Sequence, residues 1–546
     1  MPDTPNNDHP NNPFDDQIND HPKQAPAHLE TAWSPVADAM RHDLQAPTTK
    51  QGNPIDPADP GTSFSRLAAI LFTIFIVAFV VFWQNSGDDW KYKYLLKSTP
   101  PPVEYTAEMS APGSFGQVDI MGRLYLRGFP LFQSQPVMSY IDNGEMAFSE
   151  EDQLRLAIID GSFNGNEAAI ERLDALESQL EGKRLDPITP QEPDSLILAE
   201  LAALRTVYTV GPDALEDNQR DQLADRYNLL GKFAMTNGLN ETDLKRSKLT
   251  QGSGWIIAFG FFVLLVVVVV PLVGFGLLMW GIIFLATGRL KLRNHVPSKG
   301  GSVFLETYAL FVAGFAVMAV ATFLVANSSH PELASLSLLA QWLLLLTVLW
   351  GIIRGMSSRT WRKAIGWHTG EGVLKEIGIG IIAYIASIPI YIIGIIITMI
   401  LLLTKEAIAN ANALANNEGP VEPEALSNPI LEIIATQGFV TVLMLFILAT
   451  TWAPIVEETI FRGALFRHMR SSMHWVVAAF LSAFLFAFMH DYGPLLVAPL
   501  IALGFMFAFM REWRGSLIAP MTAHFLHNFS LMSFMILLVQ LIKDPM

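Results

Sequence analysis

Polar and apolar positions divide the chain into four stretches. Residues 1–63 are rich in Pro, Asn and Asp and lack periodic apolar positions. Such a composition buries too little apolar area to offset the entropy of ordering, which predicts a disordered tail. Then comes "LAAILFTIFIVAFVVFW", an uncharged run that predicts a first membrane helix over 64–84. Residues 85–250 return to mixed polarity. Within them, "EDQLRLAIIDGSFNGNEAAIERLDALESQLEGK" and "SLILAELAALRTVYTV" repeat apolar residues at helical spacing among charges, predicting a small α-rich domain. From there uncharged runs dominate, over 249–288, 307–327, 333–353, 377–404, 433–456, 475–489, 493–510 and 515–542. The first of these contains Pro271 and fits either one kinked span or a re-entrant pair.

This pattern predicts an all-α polytopic membrane protein of about nine transmembrane helices, with an α-rich domain inserted between spans 1 and 2. The predicted organisation is a tail (1–63), a first span (64–84), an acidic domain (85–250), a second span with a basic loop (251–302) and a helical membrane bundle (303–546). The connections "RLKLRNHVPSKG", "RGMSSRTWRK", "RGALFRHMR" and "REWRG" are basic, and the positive-inside rule puts them in the cytoplasm. With 249–288 as one span, all four fall on one side. The N-terminus is then cytoplasmic and 85–250 extracytoplasmic, in a multi-pass protein of the cell membrane. "KRSK" at 245–248 lies on the other side, which a long translocated domain tolerates.

Composition agrees. The chain is 51% hydrophobic and 16% charged, against about 25% charged for a soluble domain. Its net charge of −15 excludes the basic face that nucleic acid requires. Much of that charge sits in 85–250, where 27 Asp and Glu face 16 Lys and Arg, leaving room there for a protein partner. There is no cysteine, so disulfides and thiol catalysis are excluded. The first residues show no basic region followed by an apolar core, hence no visible signal peptide.

The last third carries more ionisable groups at membrane depth than packing requires. A charge at the bilayer centre costs about 2.5–3.5 kcal/mol even on insertion scales, so it is usually paired and usually functional. Glu458 and Arg462 lie four apart on one helix face and can neutralise each other, a structural ion pair. Glu457, about 100° around the helix from Glu458, needs a partner from elsewhere. "SSMHW" at 471–475 reads as a turn between antiparallel helices, and Glu457 and His490 are equidistant from it. Equal rise brings both to the same depth, roughly 25 Å up the hairpin. His524 and Asn528 stand roughly 15 and 21 Å up from the next turn, on one face. His527 falls on another face and packs between helices in this reading.

These residues form E-E-x-x-x-R (Glu457, Glu458, Arg462), F-x-x-x-H (Phe486, His490) and H-x-x-x-N (His524, Asn528) on successive helices. Their order resembles the three motifs of the CPBP family, the CAAX prenyl proteases and bacteriocin-processing enzymes of Abi type. The resemblance covers about 430–540. It implies an intramembrane endopeptidase in which Glu457 and His490 activate a water while His524 and Asn528 hold the oxyanion. The implied substrate is a membrane-associated protein or peptide, and no cofactor is implied. A zinc site built from Glu457, His490 and His524 is the alternative, without the H-E-x-x-H of many zinc peptidases. Two other classes compete with the enzyme: a catalytically inactive scaffold or immunity factor of the same fold, and a transporter using buried Glu and His as a proton relay.

Overall fold

The computed structural model describes residues 59–86, 88–96, 118, 122–123, 126, 149–184, 195–240, 242–250, 253–292, 297, 299–330, 336–416, 429–490 and 495–542. Among them there is no strand. The tail expected over 1–63 falls outside the described residues up to 58, as does most of 97–148 from the acidic segment.

Helix α1, Ser63–Asn85, begins on a capping box. Ser65 N donates to Thr62 Oγ1 (3.1 Å) while Thr62 N donates to Ser65 Oγ (2.8 Å), satisfying backbone donors that a helix start leaves open. The residues just before α1 are ordered, contrary to the disorder expected through residue 63. Asp59 Oδ1 accepts from Val303 N (3.0 Å) and Pro60 O from Ser302 N (3.0 Å). They thereby cap a second helix start, and that bonding offsets the ordering entropy. Gly61 makes the approach possible: its φ is +124°, and a Cβ there would collide with Ser302 Oγ.

The described part of 85–250 is helical, as its periodicity predicts. Helices α2 (Glu150–Phe163), α3 (Asn166–Arg184), α4 (Ser195–Thr209), α5 (Asp217–Arg226) and α6 (Asn228–Ala234) surround one apolar core. Leu154, Leu173, Leu204, Leu229 and Phe233 are all buried in it. Glu200 is bound by Arg226 Nε (2.6 Å) and the Tyr227 hydroxyl (2.7 Å). Burial nonetheless pushes its carboxyl above the usual range, against those two partners.

The longer helices that follow are α7 (Ser253–Ala286), α8 (Val303–Ala326), α9 (Ser337–Ile353), α10 (Val373–Ala415), α11 (Phe439–Arg470), α12 (Trp475–Phe488), α13 (Ala498–Arg514) and α14 (Ile518–Ile542). The long apolar stretch with Pro271 is therefore one continuous helix, not a re-entrant pair. Each of the nine apolar stretches forms a helix. Among the described residues six helices are long and apolar enough to cross a membrane, and seven if α9 is joined to Ser358–Ile365 across a 117° bend. This makes the chain a multi-pass membrane protein. The count differs from nine because α12 and α13 have 14 and 17 residues. At 1.5 Å per residue these reach about 21 and 26 Å, short of the ~30 Å hydrocarbon core.

Helix α8 packs against α1 and α11, α10 against α7, α13 and α14, and α12 against α13. One end of this bundle is tied by ion pairs. Arg514 binds Glu376 (2.7 Å) and Glu371 (2.9 Å), and Arg470 binds Glu512 (3.1 Å). Glu376 and Arg514 are buried, where a charge is stable only when paired. The turns expected between α11 and α12 and between α13 and α14 are present, the second closed by Gly515 at φ +72°.

Candidate active site

Helix α11 carries both glutamates and is not regularly wound. Wider, π-type turns at Leu448–Trp452 and Glu458–Leu465 flank Glu457. Such turns are frequent at functional sites because they redirect side chains and backbone carbonyls. Two carbonyls in these turns accept side chains of neighbouring helices: Ala449 O from Asn528 Nδ2 (2.8 Å) and Phe461 O from Ser482 Oγ (3.1 Å).

The two acids occupy different environments. Glu458 and Arg462 are fully buried, joined at 2.9 Å between Oε1 and Nη1. Arg462 Nη2 also donates to Gly504 O (3.1 Å). Its guanidinium lies 4.4 Å from the Phe486 ring centre and 5.3 Å from that of Phe507. A planar cation bonded through two of its nitrogens and stacked on its faces is stabilised out of water, although Arg462 Nε has no hydrogen-bond partner among the described residues. Gly504 is required there, since a Cβ would lie 2.9 Å from Ala483 Cβ and 3.0 Å from Arg462 Nη2.

Sequence spacing assigned Glu458 to Arg462 alone. The structure adds His524, whose Nδ1 lies 2.9 Å from the same Glu458 oxygen. A carboxylate paired with arginine can only accept, so Nδ1 carries a proton. The ring is held flat against Phe507, with centroids 5.2 Å apart, and edge-on to Phe486. Its Nε2 is left 3.9 Å from Glu457 Oε2, beyond hydrogen-bonding reach. No spacing within one helix signals the Glu458–His524 contact, because it joins α11 to α14.

Glu457 lines a cavity of about 410 Å³ together with His490, Trp452, Phe461 and Met489. Two buried polar atoms of these residues, Glu457 Oε2 and Trp452 Nε1, have no hydrogen-bond partner among the described residues. The hairpin argument therefore placed Glu457 and His490 at one site. His490 Nδ1 is 3.0 Å from Phe486 O, which fixes its ring at the end of α12. Asn528 is brought near α11 but does not line the cavity; one of its two N–H donors is engaged by Ala449. His527 packs between helices as expected, its ring centre 5.3 Å from that of Tyr391 and its Nδ1 3.5 Å from the Tyr384 hydroxyl. Among the described residues no group of three His, Asp or Glu side chains is placed to hold a metal ion.

Residues 439–530 match the family model described as type II CAAX prenyl endopeptidase, Rce1-like. The matched stretch runs from the start of α11 into α14 and holds all three motifs. Comparison with curated proteins returned no match, nor did comparison with solved structures.

Proposed function

We propose that the protein is an intramembrane endopeptidase that hydrolyses a peptide bond with a water activated by Glu457, a reading supported by the match of residues 439–530 to the CAAX prenyl endopeptidase model. One observation carries the reading: of two adjacent acids, Glu458 is fully buried and tied through Oε1 to Arg462 and His524, while Glu457 is half-buried on a cavity it shares with a histidine, its buried Oε2 without a hydrogen-bond partner among the described residues. A buried carboxylate in that condition is costly unless it has work to do.

In this mechanism a water sits between Glu457 and His490. Glu457 takes one of its protons as the oxygen attacks the scissile carbonyl carbon, giving a tetrahedral oxyanion. His524 Nε2–H, beside Glu457, donates to that oxygen, worth most in a site closed to water, while Asn528, outside the cavity lining, ties α14 to α11 through Ala449 O. Glu457 then returns the proton to the leaving amine, and the C–N bond breaks. For His524 to donate at Nε2 it carries protons on both nitrogens. That state balances the site, since Glu457 and Glu458 then face Arg462 and His524, two charges of each sign. Glu458 serves as a positioning residue, orienting the imidazole.

The test is a comparison of membrane-protein termini in cells carrying the wild-type chain or Glu457→Gln. Precursors uncleaved only in the variant are expected. Identical termini in the two strains count against the peptidase.

The chemistry also predicts metal independence. Asn528 is an amide donor and a poor zinc ligand, and Glu458 is already held by Arg462 and His524. Purified protein is expected to keep its activity through prolonged chelation. Zinc at one equivalent, lost and regained together with activity, would replace the glutamate mechanism.

The proposed orientation places the basic connections in the cytoplasm and the acidic domain outside. Protease added to intact spheroplasts is expected to cut within 150–250 and to spare 354–363 and 467–474. The reverse pattern inverts the topology.

A further inference from the structure

We propose that the first membrane helix, far outside the family-matched stretch, forms the specificity wall of the cleavage site; this rests on the peptidase reading above. Phe79, Val80, Trp83 and Gln84 of α1 line the same cavity as Glu457 and His490. Facing them from α8 are Phe311 and Phe315. Apart from Glu457, His490 and Gln84, every lining residue is apolar, and six of them are aromatic. The cavity thus pairs a polar reacting corner with an apolar chamber, four of whose lining residues come from α1.

A helix that merely anchored the acidic domain would need only an apolar surface toward lipid. Helix α1 is instead built into the bundle at both ends. Near its start, Asp59 and Pro60 cap α8, and Ser65 Oγ lies 2.8 Å from Ser302 Oγ. Near its end, the Trp83 ring packs edge-on to Phe323 of α8, with centroids 5.7 Å apart. Between these points Ile76 and Val80 are buried. Gln84 Nε2 reaches Met489 O (3.4 Å), the residue next to His490, so α1 also touches the end of α12 where that histidine emerges.

A rigid aromatic wall at this distance from the reacting carboxylate selects by volume. It accepts an apolar side chain of the substrate beside the scissile bond and rejects one too large for the chamber. Phe79 and Trp83 set the depth. Gln84, an amide with acceptor and donor capacity, faces the substrate's backbone at the polar corner. Removing part of such a wall admits larger groups, and one or two methylenes change discrimination by about tenfold or more.

The experiment uses the full chain in lipid nanodiscs and a synthetic library of apolar peptides varied among Ala, Val, Leu, Phe and Trp. Cleaved bonds are read by mass spectrometry for wild type, Phe79→Ala, Trp83→Leu, Phe75→Ala and Glu457→Gln. Phe75 is 65% exposed on α1 and serves as the lipid-side control. Phe79→Ala and Trp83→Leu are expected to raise the ratio of kcat/KM for Phe or Trp over Ala by about tenfold, with Phe75→Ala matching wild type. Glu457-dependent cleavage whose profile is the same in the Phe79 and Trp83 variants overturns the wall and leaves the peptidase standing. The same holds if Phe75→Ala shifts the profile equally. Should Trp83→Leu fail to accumulate, Phe79→Leu makes the comparison with a smaller change. Absence of any Glu457-dependent cleavage removes the peptidase reading, and the wall with it.

Discussion

Glu457→Gln is expected to lower peptide-bond hydrolysis by about 100-fold or more, with protein abundance unchanged. The substitution keeps the shape of the side chain and its capacity to accept a hydrogen bond. What it removes is the basic oxygen. Stability should be little affected, because the Glu457 oxygen concerned accepts no hydrogen bond among the described residues and the side chain retains some exposure to the cavity. The nearest cation, His524, stands at 3.9 Å without a hydrogen bond, so losing the charge relieves about as much desolvation as it loses interaction. The informative measurement is therefore paired: yield of monodisperse protein and turnover of one peptide substrate. Full turnover by the variant would exclude the enzyme described above. A non-catalytic scaffold of the same fold would then be the better reading.

How much of this site could be read from sequence follows from where each contact lies along the chain. Glu457 and His490 straddle one short turn, so equal helical rise was enough to place them on one cavity. Glu458 and Arg462 are four apart on one helix, and their pairing follows from periodicity. His524 was placed at the right depth, but its bond to Glu458 depends on how α14 is rotated against α11, and spacing carries no information about rotation. Asn528 shares a face with His524, yet its amide is drawn to Ala449 by a π-type turn that no pattern of apolar residues announces. The most distant element was the least legible. Helix α1 reads as an anchor from its composition, and only its contacts with α8 and Met489 make it part of the site. Span counting went astray for a related reason. Helix α12 is as apolar as its neighbours and α13 becomes charged only in its last turn, at Arg511, Glu512 and Arg514, but the two pack closely on each other and end at turns before reaching full bilayer length.

Arg462→Ala is expected to fail at the level of the fold. The guanidinium bonds Glu458, donates to Gly504 O and fills the space between Phe486 and Phe507. Truncation leaves a fully buried carboxylate with His524 as its remaining partner and opens a void between two rings. Breaking a buried ion pair from one side costs about 3–5 kcal/mol, a large share of the roughly 5–15 kcal/mol that holds a typical domain together. Losses of that size lower steady-state abundance several-fold, since cells degrade what unfolds. Arginine's planar fork matters here, so Arg462→Lys is expected to fall between the two. The double variant Glu458→Gln with Arg462→Met separates folding from chemistry. It removes both charges together, so abundance should recover toward wild type relative to Arg462→Ala. Activity should stay low, because His524 loses the carboxylate that orients it. Membrane yield, thermal unfolding and turnover, measured on all three variants, decide the matter. An Arg462→Ala protein with wild-type yield and melting would show that the Glu458–Arg462 pair does not hold this helix in place.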